Sequence, residues 1–155
     1  MTPAINTLKK AGISHTVHSY KHESKANAYG LEAAEKMGVE PNRVFKTLVA
    51  LVDGKDLVVS IVPVSHALCL KSLASSCGGK RAEMADKQKV QRVTGYVLGG
   101  VSPIGQRKAL PTIIDASAQS FDTIFVSAGK RGLEVELNAT HLAQITNAIF
   151  ADIRA

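Results

Sequence analysis

The chain has 155 residues, 45% hydrophobic and 21% charged, with 19 Lys+Arg against 13 Asp+Glu and a formal net charge of +6. This length fits one domain, residues 1–155, that can bury a core without a disulfide or metal staple, and the composition is too apolar for disorder. The apolar runs near 48–52 and 57–64 fall far short of the roughly 18 residues a bilayer-spanning helix needs, so no membrane role is expected.

The chain opens on a punctuated helix. Thr2 can cap it, Pro3 suits its first turn and Gly12 can close it, with Ile5 and Leu8 at helical spacing. Residues 13–20 then alternate and carry β-formers. A second helix is expected over 27–37, stopped by Gly38, with Glu32 and Lys36 as an i,i+4 pair on its outer face. Residues 44–52 and 57–64 read as strands joined through Asp53-Gly54 as a hairpin, and Pro63 marks a strand end or an edge.

A helix over 70–77 should stop at Gly78-Gly79. Residues 81–84 form a short strand, and Asp86 caps a helix ending before Gly95. Residues 95–105 hold four glycines and one proline and read as a loop. Strands follow over 112–115, 123–127 and 133–137, then a helix over 140–147 and a last strand over 149–153. This order is no regular βαβ alternation. It predicts an α+β fold, a mixed, barrel-like sheet of about six to seven strands with helices packed outside.

The positive excess is unevenly placed. From Leu57 to Thr112 the basic residues Lys71, Lys80, Arg81, Lys87, Lys89, Arg92, Arg107 and Lys108 are opposed only by Glu83 and Asp86, while the rest of the chain is balanced. Such a block is either a solvated basic face or the footprint of a polyanionic partner. No stacking ladder or RNP-type motif accompanies it, so contact to a nucleic-acid backbone fits better than base readout.

Cys69 and Cys77 are too few for a disulfide framework. With no basic-then-apolar leader at the start, they are expected to be reduced, small apolar side chains of a cytoplasmic protein. No histidine pair stands near them, so no metal site is expected. P-loop, nucleophile-elbow and dinucleotide fingerprints are absent. His15 and His18 would point to opposite faces of their strand. Lys46 shares the strand face of Val44, Leu48, Ala50 and Val52. It either snorkels to water from a strand end or enters a cleft, where an ammonium can bind an anion or polarise a carbonyl. Residues 99–103, Gly-Gly-Val-Ser-Pro, form either an ordinary tight connection or a bare main-chain cradle for a ligand.

Several blocks together resemble a known family. Thr2–Ile5, Glu32-Ala33-Ala34-Glu35, Arg43-Val44-Phe45-Lys46-Thr47-Leu48, Glu83-Met84-Ala85-Asp86, residues 94–105 and residues 127–133 stand in the order and spacing of the YbaK/EbsC family, related to the editing domain of bacterial prolyl-tRNA synthetase. The resemblance implies a trans-editing hydrolase that removes cysteine from mischarged tRNA(Pro), in company with the synthetase and without a cofactor or metal. It implies the fold of that editing domain; a monomer is expected, although no residue pattern speaks to oligomeric state. It also implies that Lys46 holds the ester or its neighbouring phosphate, and that Gly99, Gly100, Val101, Ser102 and Pro103 engage the aminoacyl group through main-chain atoms. Tyr20, Tyr29 and Ser127 would line the pocket, as would Glu134, where the family often carries Asp. The substrate's own thiol would attack its ester, leaving positioning and charge to the enzyme. Two other readings fit the same residues: a deacylase for alanyl or seryl tRNA, and a non-catalytic module that binds tRNA or synthetase.

Overall fold

The computed structural model describes residues 1–23 and 29–155. Helix α1, Pro3–Ala11, is built as its punctuation requires. The Thr2 hydroxyl accepts from the Ile5 N–H, and Gly12 closes the helix with φ +69°, a left-handed turn that costs glycine nothing. Strand β1 is confined to Thr16–Ser19. Residues before it stay out of the ladder because the Ile13 N–H returns to Leu8 and His15 turns its Nδ1 to the Ile13 carbonyl.

Helix α2 spans Tyr29–Met37; the expected start at Asn27 lies outside the described residues. The expected Glu32–Lys36 pair is not formed. Glu32 faces inward to Arg131 at 3.3 Å, and Lys36 pairs with Glu23 instead. The hairpin β2, Phe45–Val52, and β3, Asp56–Pro63, turns on Asp53 and Gly54, both at positive φ. Then come α3 (Leu70–Ser76), β4 (Ala82–Met84) and α4 (Lys87–Thr94), the last capped by Asp86 and closed by Gly95. Strands β5 (Thr112–Asp115), β6 (Ile124–Lys130) and β7 (Leu133–Leu137), helix α5 (Ala139–Thr146) and strand β8 (Ile149–Ala151) complete the chain.

The described strands number eight, in two sheets ordered β4-β2-β3-β5-β8 and β1-β7-β6. The first is mixed, with β3-β5 and β5-β8 parallel. The α+β class therefore holds, but the single barrel-like sheet of six or seven strands is replaced by two sheets. Their only bridge among the described residues joins Val44 to Phe125, and no ladder closes a ring.

Alternation explains the layering. Phe45, Val49, Val59 and Ile61 face the main core, shared with Ile124, Val126, Val135 and Leu137 of the smaller sheet and with Ile5 and Leu8 of α1. Ala50, Val52, Val58 and Val62 face the other way, onto Leu73 and Ala74 of α3. A third cluster seats Ala33 and Ala34 of α2 on Val44, Val64 and Phe125, across the junction of the sheets. Gly30 is required there, because a Cβ would lie 2.2 Å from Val64 Cγ1. Neither cysteine is the buried apolar side chain expected. Cys69 is half-buried and Cys77 exposed, both as free thiols, since each flanks the short α3 rather than facing the sheet.

Candidate active site

One edge of β2 is shared by two partners that do not meet. At its start, Val44 bridges to Phe125 ahead of the strand; at its end, Ala50–Val52 pair with β4. Between them, no strand pairs with Lys46–Leu48 on this edge among the described residues. The Val44 carbonyl accepts from Val64 on the β3 side, whereas the Val49 carbonyl accepts from Ala85 on the other. Antiparallel alternation then turns the Thr47 main chain toward the open edge.

A cavity of about 580 Å³ occupies this gap. It wraps around the edge, so Lys46 and Thr47 both line it although their side chains leave opposite faces. Of the residues expected in a site, Tyr20, Tyr29, Lys46, Gly99, Val101, Ser127 and Glu134 line the cavity. Gly100, Ser102 and Pro103 do not. Gly100 is pressed against Lys130, where a Cβ would lie 2.6 Å from the Cα. Ser102 is fully buried, with its hydroxyl accepting from the Ile104 N–H, and Pro103 is buried beside it. These three shape the loop from beneath and leave its Gly99 and Val101 to face the cavity.

The polar groups here are poorly paired. Lys46 has no acidic partner among the described residues, and burial lowers its ammonium from the ordinary lysine range, as desolvation disfavours the charged form. The Thr47 hydroxyl is buried without a hydrogen-bond partner. Glu134 is 7% exposed and likewise makes no hydrogen bond to a described residue. Burial raises its carboxyl to about 8, which favours the neutral acid over the carboxylate near neutral pH. It faces Ser127 across β6 and His18 across β1, and directly opposed residues share a sheet face. Burial, and then the neighbouring Glu134, raise the Tyr20 phenol.

Tyr29 stands over the mouth, its ring 4.1 Å from the Arg131 guanidinium carbon. Arg131 also donates to the Glu23 carbonyl and to Glu32. The Glu23 N–H, and after it Arg131, hold the Glu32 carboxyl below its usual range. Gly99 sits at φ +87°, where a Cβ would come within 3.2 Å of the Tyr29 ring. Leu31, Met84 and Leu98 complete an exposed apolar rim.

Sequence reasoning missed Thr47, Arg131 and this rim. For Thr47 the usable clue was its place between the two short partners of one strand edge, which hydrophobic periodicity does not report. Lys71, Lys80, Arg81, Lys87, Lys89, Arg92, Arg107 and Lys108 are all exposed, and none pairs with a carboxylate among the described residues. Lys87 stands at the cavity lip, and Lys89 and Arg92 follow along α4.

Two separate sheets, bridged at Val44 and Phe125, enclose a half-satisfied polar cleft of small-ligand size, beside exposed cations that pair with no carboxylate among the described residues. Residues 24–145 match the aminoacyl-tRNA editing domain, and the chain belongs to that family. It is 42% identical over 120 residues to EbsC of Enterococcus faecalis, named as a candidate Cys-tRNA(Pro)/Cys-tRNA(Cys) deacylase, covering 77% of this chain and 73% of that protein. It is 28% identical over 152 residues to the proline–tRNA ligase of Desulforamulus reducens, covering 96% of this chain but 26% of the ligase. The fold superimposes on the crystal structure of a candidate trans-editing enzyme for prolyl tRNA synthetase with a TM-score of 0.86 and 22% identity, covering 99% of this chain and 95% of that one. Among the described residues no helix is long and apolar enough to cross a membrane.

Proposed function

We propose that the protein deacylates cysteine mischarged on tRNA(Pro), acting in trans to prolyl-tRNA synthetase. The observation that carries this reading is the convergence of Lys46, Glu134, Tyr20, Ser127 and the Gly99 turn on one cleft that abuts unpaired surface cations. A volume of about 580 Å³ suits an aminoacyl group together with its terminal nucleoside, within the usual range of small-ligand sites. Phosphates of the acceptor strand would follow Lys87, Lys89 and Arg92, so affinity falls with salt.

In the proposed step the cysteine thiol attacks its own ester carbonyl. A carbon–sulfur bond forms, the bond to the ribose oxygen breaks, and the thiol proton ends on that oxygen. The products are tRNA and a cyclic thiolactone. Lys46 stabilises the developing oxyanion or the adjacent phosphate, and the protein supplies no nucleophile. Its contribution is a held geometry and a preset charge. The α+β frame serves this by fixing Lys46 on a paired strand, with its open edge available to the substrate's main-chain-like atoms.

The test is deacylation of Cys-, Ala- and Ser-tRNA(Pro), with S-methylcysteinyl-tRNA(Pro) as a fourth substrate. Cys-tRNA(Pro) is expected to be cleaved fastest and the S-methyl form to resist. Normal turnover of the S-methyl form would overturn thiol attack, and faster loss of alanine or serine would move the specificity.

A further inference from the structure

Among the described residues the Glu134 carboxyl is the one acid that lines the cavity, and none of them donates a hydrogen bond to it. The other wall carries the opposite charge, on Lys46. Removing a carboxyl from water without giving it hydrogen bonds is costly, and elsewhere the chain avoids this: the fully buried Asp115 accepts from the Ile153 and Ser117 N–H groups and pairs with Arg154. The groups nearest Glu134 do not supply what it lacks. Tyr20 and Ser127 share the cavity without a hydrogen bond to it, and His18, across the ladder, gives its Nε2 to Glu136 at 2.9 Å.

Resting on the deacylase reading, we propose that Glu134 is the subsite for the α-ammonium of the aminoacyl ester, so that the pocket selects free-amine esters and rejects N-acylated ones. An α-ammonium is the cation such an ester carries, and its nitrogen brings the donors the carboxyl lacks. Lys46 repels it, so the two charges orient the ester: amine toward Glu134, carbonyl oxygen toward Lys46. Entry of the ammonium favours the ionised carboxylate, and the carboxyl proton is released to solvent as the pair forms. An N-acyl group brings neither charge nor the same donors. Glu134 is on this account a specificity residue rather than a source of chemistry.

The experiment uses the full chain and three adenosine probes whose ester is replaced by a non-cleavable amide: 3′-cysteinylamido-adenosine, its des-amino counterpart and its N-acetyl form. Calorimetry at pH 6.5, in two buffers of different ionisation enthalpy, counts the protons released. The parent should bind the amine-bearing probe at least tenfold more tightly than the other two and release close to one proton. Glu134→Gln should bind the des-amino probe as the parent does, lose most of the preference and release none; Glu134→Asp should restore part of the preference. Equal parental affinity for all three probes overturns the proposal. So does a Glu134→Gln variant that weakens every probe equally, or that still releases the proton. If the parent binds the amine-bearing probe with proton release yet cleaves no aminoacyl-tRNA, the ammonium subsite stands and the deacylase reading falls.

Discussion

Asp115 and Glu134 are both buried carboxylic acids at strand positions, and the protein treats them in opposite ways. Asp115 ends β5 with its carboxylate tied to two main-chain N–H groups, to the Ser117 hydroxyl and to Arg154. Those bonds fix the start of a 3-10 turn at Ala116–Ser120 and hold the last residues of the chain. Glu134 has none of this among the described residues, and burial pushes its carboxyl up to about 8. A buried acid whose donors come from the protein is structural. One whose donors are missing leaves a free-energy deficit that a ligand can relieve.

The largest effect expected from breaking this contrast is on Asp115. Asp115→Ala leaves buried N–H groups without an acceptor and should cost about 3 kcal/mol in chemical denaturation, with little change in the cleft. Glu134→Gln should cost no stability at pH 5. Next comes Lys46→Ala, for which deacylation should fall about a hundredfold while the unfolding midpoint stays put. An unchanged rate would remove Lys46 from the chemistry.

The third effect is a pH dependence. The folded-state value for Glu134 lies above its unfolded value, so its penalty is absent below the unfolded range, grows from about 4.5 to about 8 and levels off above that. Glu134→Gln should therefore match the parent near pH 4–5 and exceed it by on the order of 2 kcal/mol at pH 9. A constant difference across that range would show that Glu134 is not the buried neutral acid described. The smallest effect is on the surface: the Lys89→Gln/Arg92→Gln pair should weaken tRNA binding a few-fold and reduce the slope against log salt by up to about 2. Stability should not change.

Much of the frame was legible in the sequence because it is local. Thr2, Asp86, Gly12 and Gly95 act within one helix turn of where they stand, and Asp53-Gly54 sets its hairpin without outside help. What was not legible is non-local. Glu32 looks like the outward partner of Lys36 until Arg131, 99 positions away, draws it inward. Strand β6 runs to Lys130 rather than stopping at Ser127, because a register shift between those two residues, with Gly129 at φ +116°, lets the ladder resume beyond it. At the site, strand alternation singled out Lys46 as either a cleft or a strand-end lysine, and the family resemblance alone brought in Tyr20 and Glu134. Neither could separate Gly99 and Val101, which face the cleft, from Gly100, Ser102 and Pro103, which support it.

The open stretch of β2 at Lys46–Leu48 has a further consequence. Exposed strand edges invite other chains to pair, but this one is three residues long and recessed between β6 and β4, too short to template a foreign strand. Its peptide groups present the same N–H and C=O pattern whatever side chains drift around them. A point substitution can remove Lys46 or Glu134, but it cannot delete a main-chain donor short of proline. That main-chain pattern is inherited with the fold itself, leaving the side chains around it free to diverge.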